Sequence, residues 1–196
     1  MTAAARDPDH PVEDSGPSPR PSGVGRRGSV LVRPAAAADA SALGEVHVGA
    51  WRAAYRGMLP DELLDGMDAD VAGARWRSLL EDGLRPHTLV GQLDGRVVGF
   101  ANLGPAFESV PDGELYAINV LPEAWGTGVG PALLAAAEDE LVLLGHRVAV
   151  LWVIPENARA RRFYARSGWH STDLRSTREV GGAQVGLVQH LKVLIP

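Results

Sequence analysis

The sequence predicts a mixed α/β domain, and three observations support this prediction. Asp94-Gly95 separates two alternating segments and is a dipeptide that tight β-hairpin turns prefer. Val148–Ile154 is almost continuously apolar, as in a strand that is covered on both faces. Leu43, Val46 and Ala50 recur at helical spacing, which indicates an amphipathic helix.

The predicted elements alternate between strand and helix and contain no internal repeat. In chain order they are a strand (Val30–Arg33), a helix (from Asp39 or Ser41 to about Ala54), a helical region interrupted near Gly66 and Gly73 (Asp61–Glu81), a hairpin (Thr88–Leu93 and Arg96–Leu103), a strand (Leu115–Val120), a helix (Pro131–Leu144), a strand (Val148–Ile154), a helix (Asn157–Gly168) and a last strand (Gln184–Ile195).

Length and composition indicate one folded domain with a tail. The chain has 196 residues, of which 45% are hydrophobic and 22% charged, as in ordinary globular proteins. Residues 1–28 are rich in Pro, Gly, Ser and charge, so we expect a disordered tail there and a folded domain over residues 29–196.

Charge and cysteine content exclude several classes of function. The net charge of −5 argues against a general nucleic-acid binder. The absence of cysteine excludes disulfides, thiolate metal sites and a cysteine-linked acyl-enzyme. No segment has 18 consecutive apolar residues and the N-terminus lacks a secretory core, so we expect a cytoplasmic protein without a membrane partner.

A glycine-rich turn between a strand and a helix is the most informative stretch. Pro122 ends the strand that begins near Glu114, and Pro131 lies in the first turn of the helix. Three glycines alternate with two larger residues between them: Gly126, Thr127, Gly128, Val129 and Gly130. Because backbone N–H groups converge at a helix N-terminus, this turn predicts a phosphate or pyrophosphate site.

Two common phosphate-binding motifs do not fit this turn. A Walker A loop requires Gly-Lys-Ser/Thr, and no lysine is near. A dinucleotide-binding fingerprint requires G-x-G-x-x-G with an acidic residue closing the next strand, whereas this spacing is G-x-G-x-G and the next strand ends before Pro155. The turn alone also remains compatible with a purely structural role.

Together with a second segment, the turn resembles the GNAT superfamily of acyl-CoA-dependent N-acyltransferases. The two segments are ELYAINVLPEAWGTGVGPALL and VLWVIPENARARRFYARSGW, and the resemblance spans roughly residues 29–194. It implies a mixed, mostly antiparallel sheet flanked by helices, with a central pair of parallel strands that splay apart to admit the pantetheine arm of acetyl-CoA. One departure is Trp125, where the family usually has Gln or Arg.

The resemblance implies that acetyl-CoA is the co-substrate and assigns residues to it. The backbone of Gly126, Thr127, Gly128, Val129 and Gly130 would hold the pyrophosphate. Val120 would present backbone groups to the pantetheine, Asn157 would make a polar contact to the cofactor arm, and Ala160 would pack against it. Arg159, Arg161 and Arg162 are either a solvated face or the source of one phosphate contact.

Tyr164 is the candidate general acid. Asn157, Ala160 and Tyr164 occupy positions i, i+3 and i+7, so the three residues share one helix face. The resemblance implies that its hydroxyl protonates the departing CoA thiolate, since a phenol with a pKa of ~10 can serve a thiol of ~8.5 when it is positioned well. A core aromatic with a satisfied hydroxyl is the alternative.

The attacking amine must lose a proton, and Glu114 is the first candidate base because some family members have a glutamate there. An exposed carboxylate at a strand start, with a water chain as base, is the equal alternative. Glu108, Asp112 and Glu123 are weaker candidates, and His87 is the one histidine worth testing as a proton carrier. The histidines show no metal-ligand spacing, so no metal is expected.

Trp51 and Tyr55 precede MLPDELL, where the family's first helices wall the acceptor pocket. This aromatic pair would hold a substrate amine by cation–π contact, with core packing as the alternative. The expected function is N-acetyl transfer from acetyl-CoA to a small-molecule or peptide amine by direct attack in a ternary complex. The alternative is an inactive acyl-CoA-binding sensor of the same fold. The acceptor, the acyl-chain preference and the oligomeric state, a homodimer included, stay open.

Overall fold

The computed structural model describes residues 28–81, 87–107 and 113–194, which form one seven-stranded sheet with helices on both faces. Apart from Gly28, the expected tail lies outside the described residues. The strands are β1 (Val30–Pro34), β2 (His87–Leu93), β3 (Arg96–Pro105), β4 (Gly113–Val120), β5 (Val148–Val153), β6 (His170–Val180) and β7 (Ala183–Val193). The helices are α1 (Ala40–Tyr55), α2 (Asp61–Asp65), α3 (Ala69–Glu81), α4 (Val129–Leu143) and α5 (Ala158–Arg166).

The sheet is antiparallel except at its centre, as the resemblance implied. The strand order is β1-β2-β3-β4-β5-β7-β6, and β4 pairs with β5 in parallel. That pairing covers only Gly113 with Ala149 and Glu114 with Val150. Beyond Glu114, β4 continues to Val120 beside β3 alone, so the two central strands diverge and leave a gap between them.

The helices pack on opposite faces of this sheet. Phe100 contacts Trp76 of α3, with ring centroids 4.9 Å apart, so α1 and α3 cover what we call the first face. The neighbouring residue in β3, Gly99, faces the opposite side of the sheet, which we call the second face. A Cβ at Gly99 would lie 3.0 Å from the Leu133 side chain, so α4 covers this second face. A Cβ on Gly130 would approach Phe163 to 3.8 Å, so α5 also lies on the second face.

The predicted break near Gly73 is wrong, because α3 runs uninterrupted through this residue. The predicted break near Gly66 is confirmed, since α2 ends there. The glycine serves packing instead. A Cβ on Gly44 of α1 would lie 2.6 Å from the Gly73 amide nitrogen and 2.3 Å from the Ala69 carbonyl oxygen. Two glycines therefore let the backbones of α1 and α3 touch, which sequence periodicity cannot distinguish from a helix break.

Strand β6 was not predicted. Its sequence, HSTDLRSTREV, is polar and its side chains are mostly exposed. It pairs only with β7, at the edge of the sheet. Edge strands often carry charged residues and lack the apolar alternation that marks a half-buried strand, so no hydrophobic pattern signalled it.

The start of α4 also differs from the prediction. Gly128 has a φ of +99° and caps the helix, so α4 begins at Val129 rather than at Pro131. The first helical bond runs from the Ala132 amide to the Gly128 carbonyl, at 3.0 Å. Pro131 still lies in the first turn, where its missing N–H costs no intrahelical bond.

Lys192 holds α4, the end of α5 and β7 together. Its ammonium donates to Glu138 Oε2 at 2.6 Å and to the Ser167 carbonyl at 2.8 Å. The Trp169 indole N–H donates to the other oxygen of Glu138, at 2.8 Å. This network fixes α5 relative to α4 on the second face. No helix within the described ranges is long and apolar enough to span a bilayer.

Candidate active site

The glycine turn presents free backbone amides at the N-terminus of α4. Gly126 and Gly128 have φ values of +77° and +99°, a region that side-chain-bearing residues avoid. The amides of Gly128, Val129 and Gly130 donate to no acceptor in the part of the chain that the structure describes. The first turn of α4 contains no acidic side chain. These amides and the helix dipole therefore form a site for an anion.

Thr127 differs from its neighbours in the turn. Its amide donates to the Ala124 carbonyl at 3.4 Å, and its hydroxyl donates to the same oxygen at 2.7 Å. The residue thus braces the turn, and its amide is less available to a ligand than the amides on either side. Its assignment to the phosphate stays a prediction.

Trp125 and Arg159 connect the turn to α5. The Arg159 guanidinium carbon lies 3.1 Å from the centroid of the Trp125 ring, and the indole N–H donates to the Val120 carbonyl at 2.8 Å. Burial lowers the pKa of Arg159, which nevertheless stays a cation, and it pairs with no carboxylate of the described residues. The stack holds a positive charge beside the glycine turn, and of the three arginines that the sequence left open it is Arg159 that lies there. A phosphate contact from Arg159 stays a prediction.

Asn157 begins α5 as predicted. Its side-chain oxygen accepts the Ala160 amide at 3.0 Å, which is a helix N-cap, and the residue is buried. The cap satisfies one amide of the first turn and orients α5 toward the glycine turn. The cap occupies the oxygen, so the predicted contact to the cofactor arm falls to the side-chain NH₂ and stays a prediction.

Tyr164 is buried, yet its hydroxyl has no hydrogen-bond partner among the described residues. Its ring packs against Trp169 and His190, with centroids 6.3 and 6.4 Å away. Burial raises the pKa of Tyr164, and the nearby Tyr55 hydroxyl raises it further. The ring contacts place Tyr164 between α5 and β7, and its predicted place beside the cofactor sulfur stays a prediction.

Glu114 lies on the first face at the point where β4 and β5 separate. Glu114 lies opposite Gly104 of β3, and Ala117 lies opposite Asn102. Gly104 and Asn102 are two residues apart and therefore face the same side of the sheet. Glu114 and Ala117 consequently share that face, although an irregularity in β4 separates them. The Glu114 side chain is 3% exposed, and Arg178 donates to its Oε1 at 3.2 Å. The alternative of an exposed carboxylate is therefore wrong, since Glu114 is buried and an arginine of β6 holds it in place, and its role as the base stays a prediction.

Trp51 lines a pocket of about 480 Å³ on the first face, between α1, α3 and strands β3 and β4. Tyr55 packs edge-on against Trp51, with ring centroids 5.2 Å apart, but does not line this pocket. The structure therefore separates the predicted pair, because only Trp51 of the two lines the pocket. Two asparagines, Asn102 and Asn119, bring polar groups to the floor of the pocket.

The sequence profile of the acetyltransferase (GNAT) family matches residues 50–169. The chain belongs to this family. It is 35% identical over 131 residues to YuaI, an uncharacterised N-acetyltransferase of Bacillus subtilis, and this match covers 65% of the chain and 73% of YuaI. It is 33% identical over 119 residues to the uncharacterised N-acetyltransferase Rv2669 of Mycobacterium tuberculosis, covering 61% of the chain and 74% of that protein.

Solved GNAT structures have the same fold. PaiA N-acetyltransferase from Thermoplasma acidophilum, in complex with coenzyme A, matches with a TM-score of 0.65 and 20% identity over 84% of this chain and 99% of its own. The acetyltransferase yncA from Salmonella typhimurium, with acetyl-CoA, matches with a TM-score of 0.62 and 23% identity over 84% and 94%. At these identities the likeness establishes the fold.

This GNAT site is organised around the gap between β4 and β5. The glycine turn and α5 lie on the second face, and Glu114 and the pocket lie on the first. Sequence reasoning did not find Arg178, because it belongs to the unpredicted strand β6. It also passed over Asn119, although a polar residue inside the apolar segment of β4 was a usable signal.

The weaker candidate residues lie elsewhere or outside the described residues. The Nδ1 atom of His87 lies 2.7 Å from Glu140 Oε1. Because Glu140 is eleven residues after Val129, the first residue of α4, this contact lies about 16 Å along the helix from the glycine turn. Glu123 is exposed and pairs with Arg96 at 3.6 Å. Glu108 and Asp112 lie outside the described residues.

Proposed function

We propose that the chain transfers an acetyl group from acetyl-CoA to a primary amine by direct attack in a ternary complex. The observation that carries this proposal is the gap between β4 and β5, beside the glycine-turn amides that donate to no acceptor among the described residues. The Tyr164 hydroxyl, which has no hydrogen-bond partner among the same residues, would lie in this gap. The gap supplies a slot for a narrow chain ending in a thioester, and its two openings would receive the donor and the acceptor from opposite faces.

In this proposal, each group of the chain near the gap has a specific role in binding acetyl-CoA. The amides of Gly126, Gly128, Val129 and Gly130 hold the pyrophosphate, and Thr127 braces them. Backbone groups of β4 between Leu115 and Asn119 that face the gap have no β5 partner, so they are available to the pantetheine and to the thioester oxygen. The Val120 carbonyl, by contrast, already accepts the Trp125 indole N–H. Asn157 and Ala160 border the slot on the α5 side.

The proposed reaction forms one carbon–nitrogen bond and breaks one carbon–sulfur bond. The amine nitrogen attacks the thioester carbonyl carbon, the carbon–sulfur bond breaks, and the Tyr164 hydroxyl gives its proton to the departing sulfur. Glu114, or a water chain that ends at it, takes the proton that the amine loses. The proton balance closes when Glu114 releases its proton to solvent and the tyrosinate takes one up.

Arg159 is the proposed replacement for the polar side chain that the family usually has at position 125. Arg159→Gln should raise the acetyl-CoA dissociation constant about tenfold, because a charge-assisted contact to phosphate is lost. Trp125→Leu should act in the same direction by releasing the guanidinium. Calorimetry with acetyl-CoA and with its 3′-dephospho analogue distinguishes a pyrophosphate contact from a contact to the 3′-phosphate. Arg162→Gln, an exposed change on the same helix, is the control, and equal affinities for all variants would contradict the role.

The alternative, an acyl-CoA-binding sensor without turnover, is favoured by one observation. The Trp125 indole N–H occupies the Val120 carbonyl, a group that the pantetheine would use. Two measurements test the proposal and this alternative together. Calorimetry with acetyl-CoA reports binding, and thiol release with a broad panel of amines reports transfer. Binding without release supports the sensor, and the absence of binding at millimolar acetyl-CoA overturns both.

A further inference from the structure

The first-face pocket has features that define what it can hold. It lies between α1, α3 and the β3–β4 part of the sheet, and its floor reaches Ala117 and Asn119 of β4. We propose that this pocket binds the acceptor, and that the acceptor is a primary amine with a flat aromatic body and a carboxylate that Arg75 binds. This inference rests on the proposed function and names its substrate class.

The walls of the pocket favour a flat ring. His47 and Trp51 have ring centroids 5.1 Å apart, and Trp76 and Phe100 meet edge to face at 4.9 Å. His47 also approaches Phe100, at 6.2 Å. Aromatic side chains in tilted and edge-on arrangements offer both faces and edges to another ring. A pocket of about 480 Å³ has room for a ring with two short polar arms.

Arg75 supplies the positive charge at the α3 side of this pocket. It is exposed at the pocket wall and forms no ion pair with any carboxylate in the described ranges. Burial lowers the pKa of His47, and the charge of Arg75 lowers it further, so the imidazole stays neutral near pH 7. The positive charge therefore comes from the guanidinium, whose planar fork suits a carboxylate.

Asp68, the acidic residue of the pocket lining, does not neutralise Arg75. Its carboxylate accepts the amides of Asp70 and Val71 at 2.8 and 2.9 Å, which caps α3. Arg75 follows it by seven residues, so the two lie on one helix face about 10 Å apart. A ligand carboxylate would complete the charge balance at Arg75, whereas a polyamine would be repelled.

The sheet side of the pocket provides the groups for an amine. Asn119 is 8% exposed, and its side chain has no hydrogen-bond partner among the described residues. The side-chain oxygen of Asn102 is buried and has no hydrogen-bond partner in the described part of the chain. Both residues line the pocket, and Asn119 is adjacent to Val120 at the gap. Since amide oxygens accept N–H bonds, the amine would lie at the sheet and the carboxylate at α3.

Matched pairs of amines test this inference. We expect 4-(aminomethyl)benzoate or 3-(aminomethyl)benzoate to be acetylated with a KM about tenfold below that of benzylamine, because each acid gains a charge-assisted contact. The pair that shows the difference identifies the spacing between amine and carboxylate. Arg75→Gln should abolish the difference and leave the KM of the uncharged amine unchanged.

Arg77→Gln is the control, since Arg77 is an exposed arginine of α3 that does not line the pocket. It should keep the full difference between acid and amine. Acetyl-CoA binding is measured for every variant, so that loss of the donor site is recognised separately from loss of acceptor selection. If neither acid is turned over, binding of both acids to the wild-type chain is measured by calorimetry with acetyl-CoA present.

Three outcomes would overturn the inference. The first is equal KM values for acids and amines, the second is an Arg75→Gln variant that keeps the difference, and the third is no binding of either acid at millimolar concentration. Each of these leaves the proposed acetyl transfer standing if acetyl-CoA binds and another amine is acetylated.

Discussion

Tyr164→Phe should lower kcat at least about 100-fold while the affinity for acetyl-CoA stays the same, because general-acid catalysis typically contributes factors of this size. The change removes only a hydroxyl, and the ring keeps its contacts with Trp169 and His190. Since burial raises the pKa of Tyr164, the hydroxyl remains protonated throughout the neutral range and is available as an acid. Steady-state thiol release and acetyl-CoA calorimetry measure the two quantities.

Tyr116→Phe is the matched control for Tyr164→Phe. The Tyr116 hydroxyl donates to the Pro105 carbonyl, so its loss should reduce stability by about 1 kcal/mol and leave kcat within about threefold. The Tyr164 hydroxyl has no such partner within the described ranges, so its loss should lower kcat and leave stability nearly unchanged. An unchanged kcat in Tyr164→Phe, with acetyl-CoA still bound, would transfer the role of acid to water.

Gly128→Ala should weaken acetyl-CoA binding about tenfold or more. A Cβ at this position meets no atom within 4 Å, so the effect comes from the backbone and not from a clash. An L-residue at a φ of +99° is strained by about 1–3 kcal/mol. As the backbone relaxes, the amides of Gly128 and Val129 turn away from their common point, and the anion site is lost. Calorimetry with acetyl-CoA measures the change.

Gly145→Ala provides a control at the other end of the same helix. Gly145 has a φ of +91° and equally open space around its Cβ position, but it follows the C-terminus of α4. Both variants should lose similar free energy of unfolding in urea, and only Gly128→Ala should lose acetyl-CoA affinity. Similar affinities in the two variants would mean that the amide cradle does not bind the phosphates.

Most of the fold could be predicted from local patterns. The Asp94-Gly95 turn is confirmed, with φ values of +51° and +83°, and Pro122 follows the end of β4 at Val120. Strand β5 also matches its apolar segment. These elements were predictable because turn chemistry and buried strands leave a signal within a few residues. Strand β6 left no such signal, because an exposed edge strand needs no apolar face.

The candidate site was predictable in part. The glycine turn and the N-cap at Asn157 follow from residue types at short spacing, and both have the expected local geometry. The pairing of Glu114 with Arg178 joins residues 64 positions apart in the chain, and it depends on the packing of β6 beside β7. The stack of Arg159 on Trp125 depends in the same way on how α5 packs against the turn.

The sequence by itself determined the family, the strand–turn–helix unit at the glycine turn and the face of α5 that carries Tyr164. Backbone preferences and hydrophobic periodicity act over a few residues, so they can be read along the chain. The tertiary structure alone decided where β4 and β5 separate, that Arg178 reaches Glu114, and which charges stay unpaired among the described residues, at Arg75 and Arg159. These features arise from contacts between distant segments, and their energies depend on burial that exists only after the chain has folded.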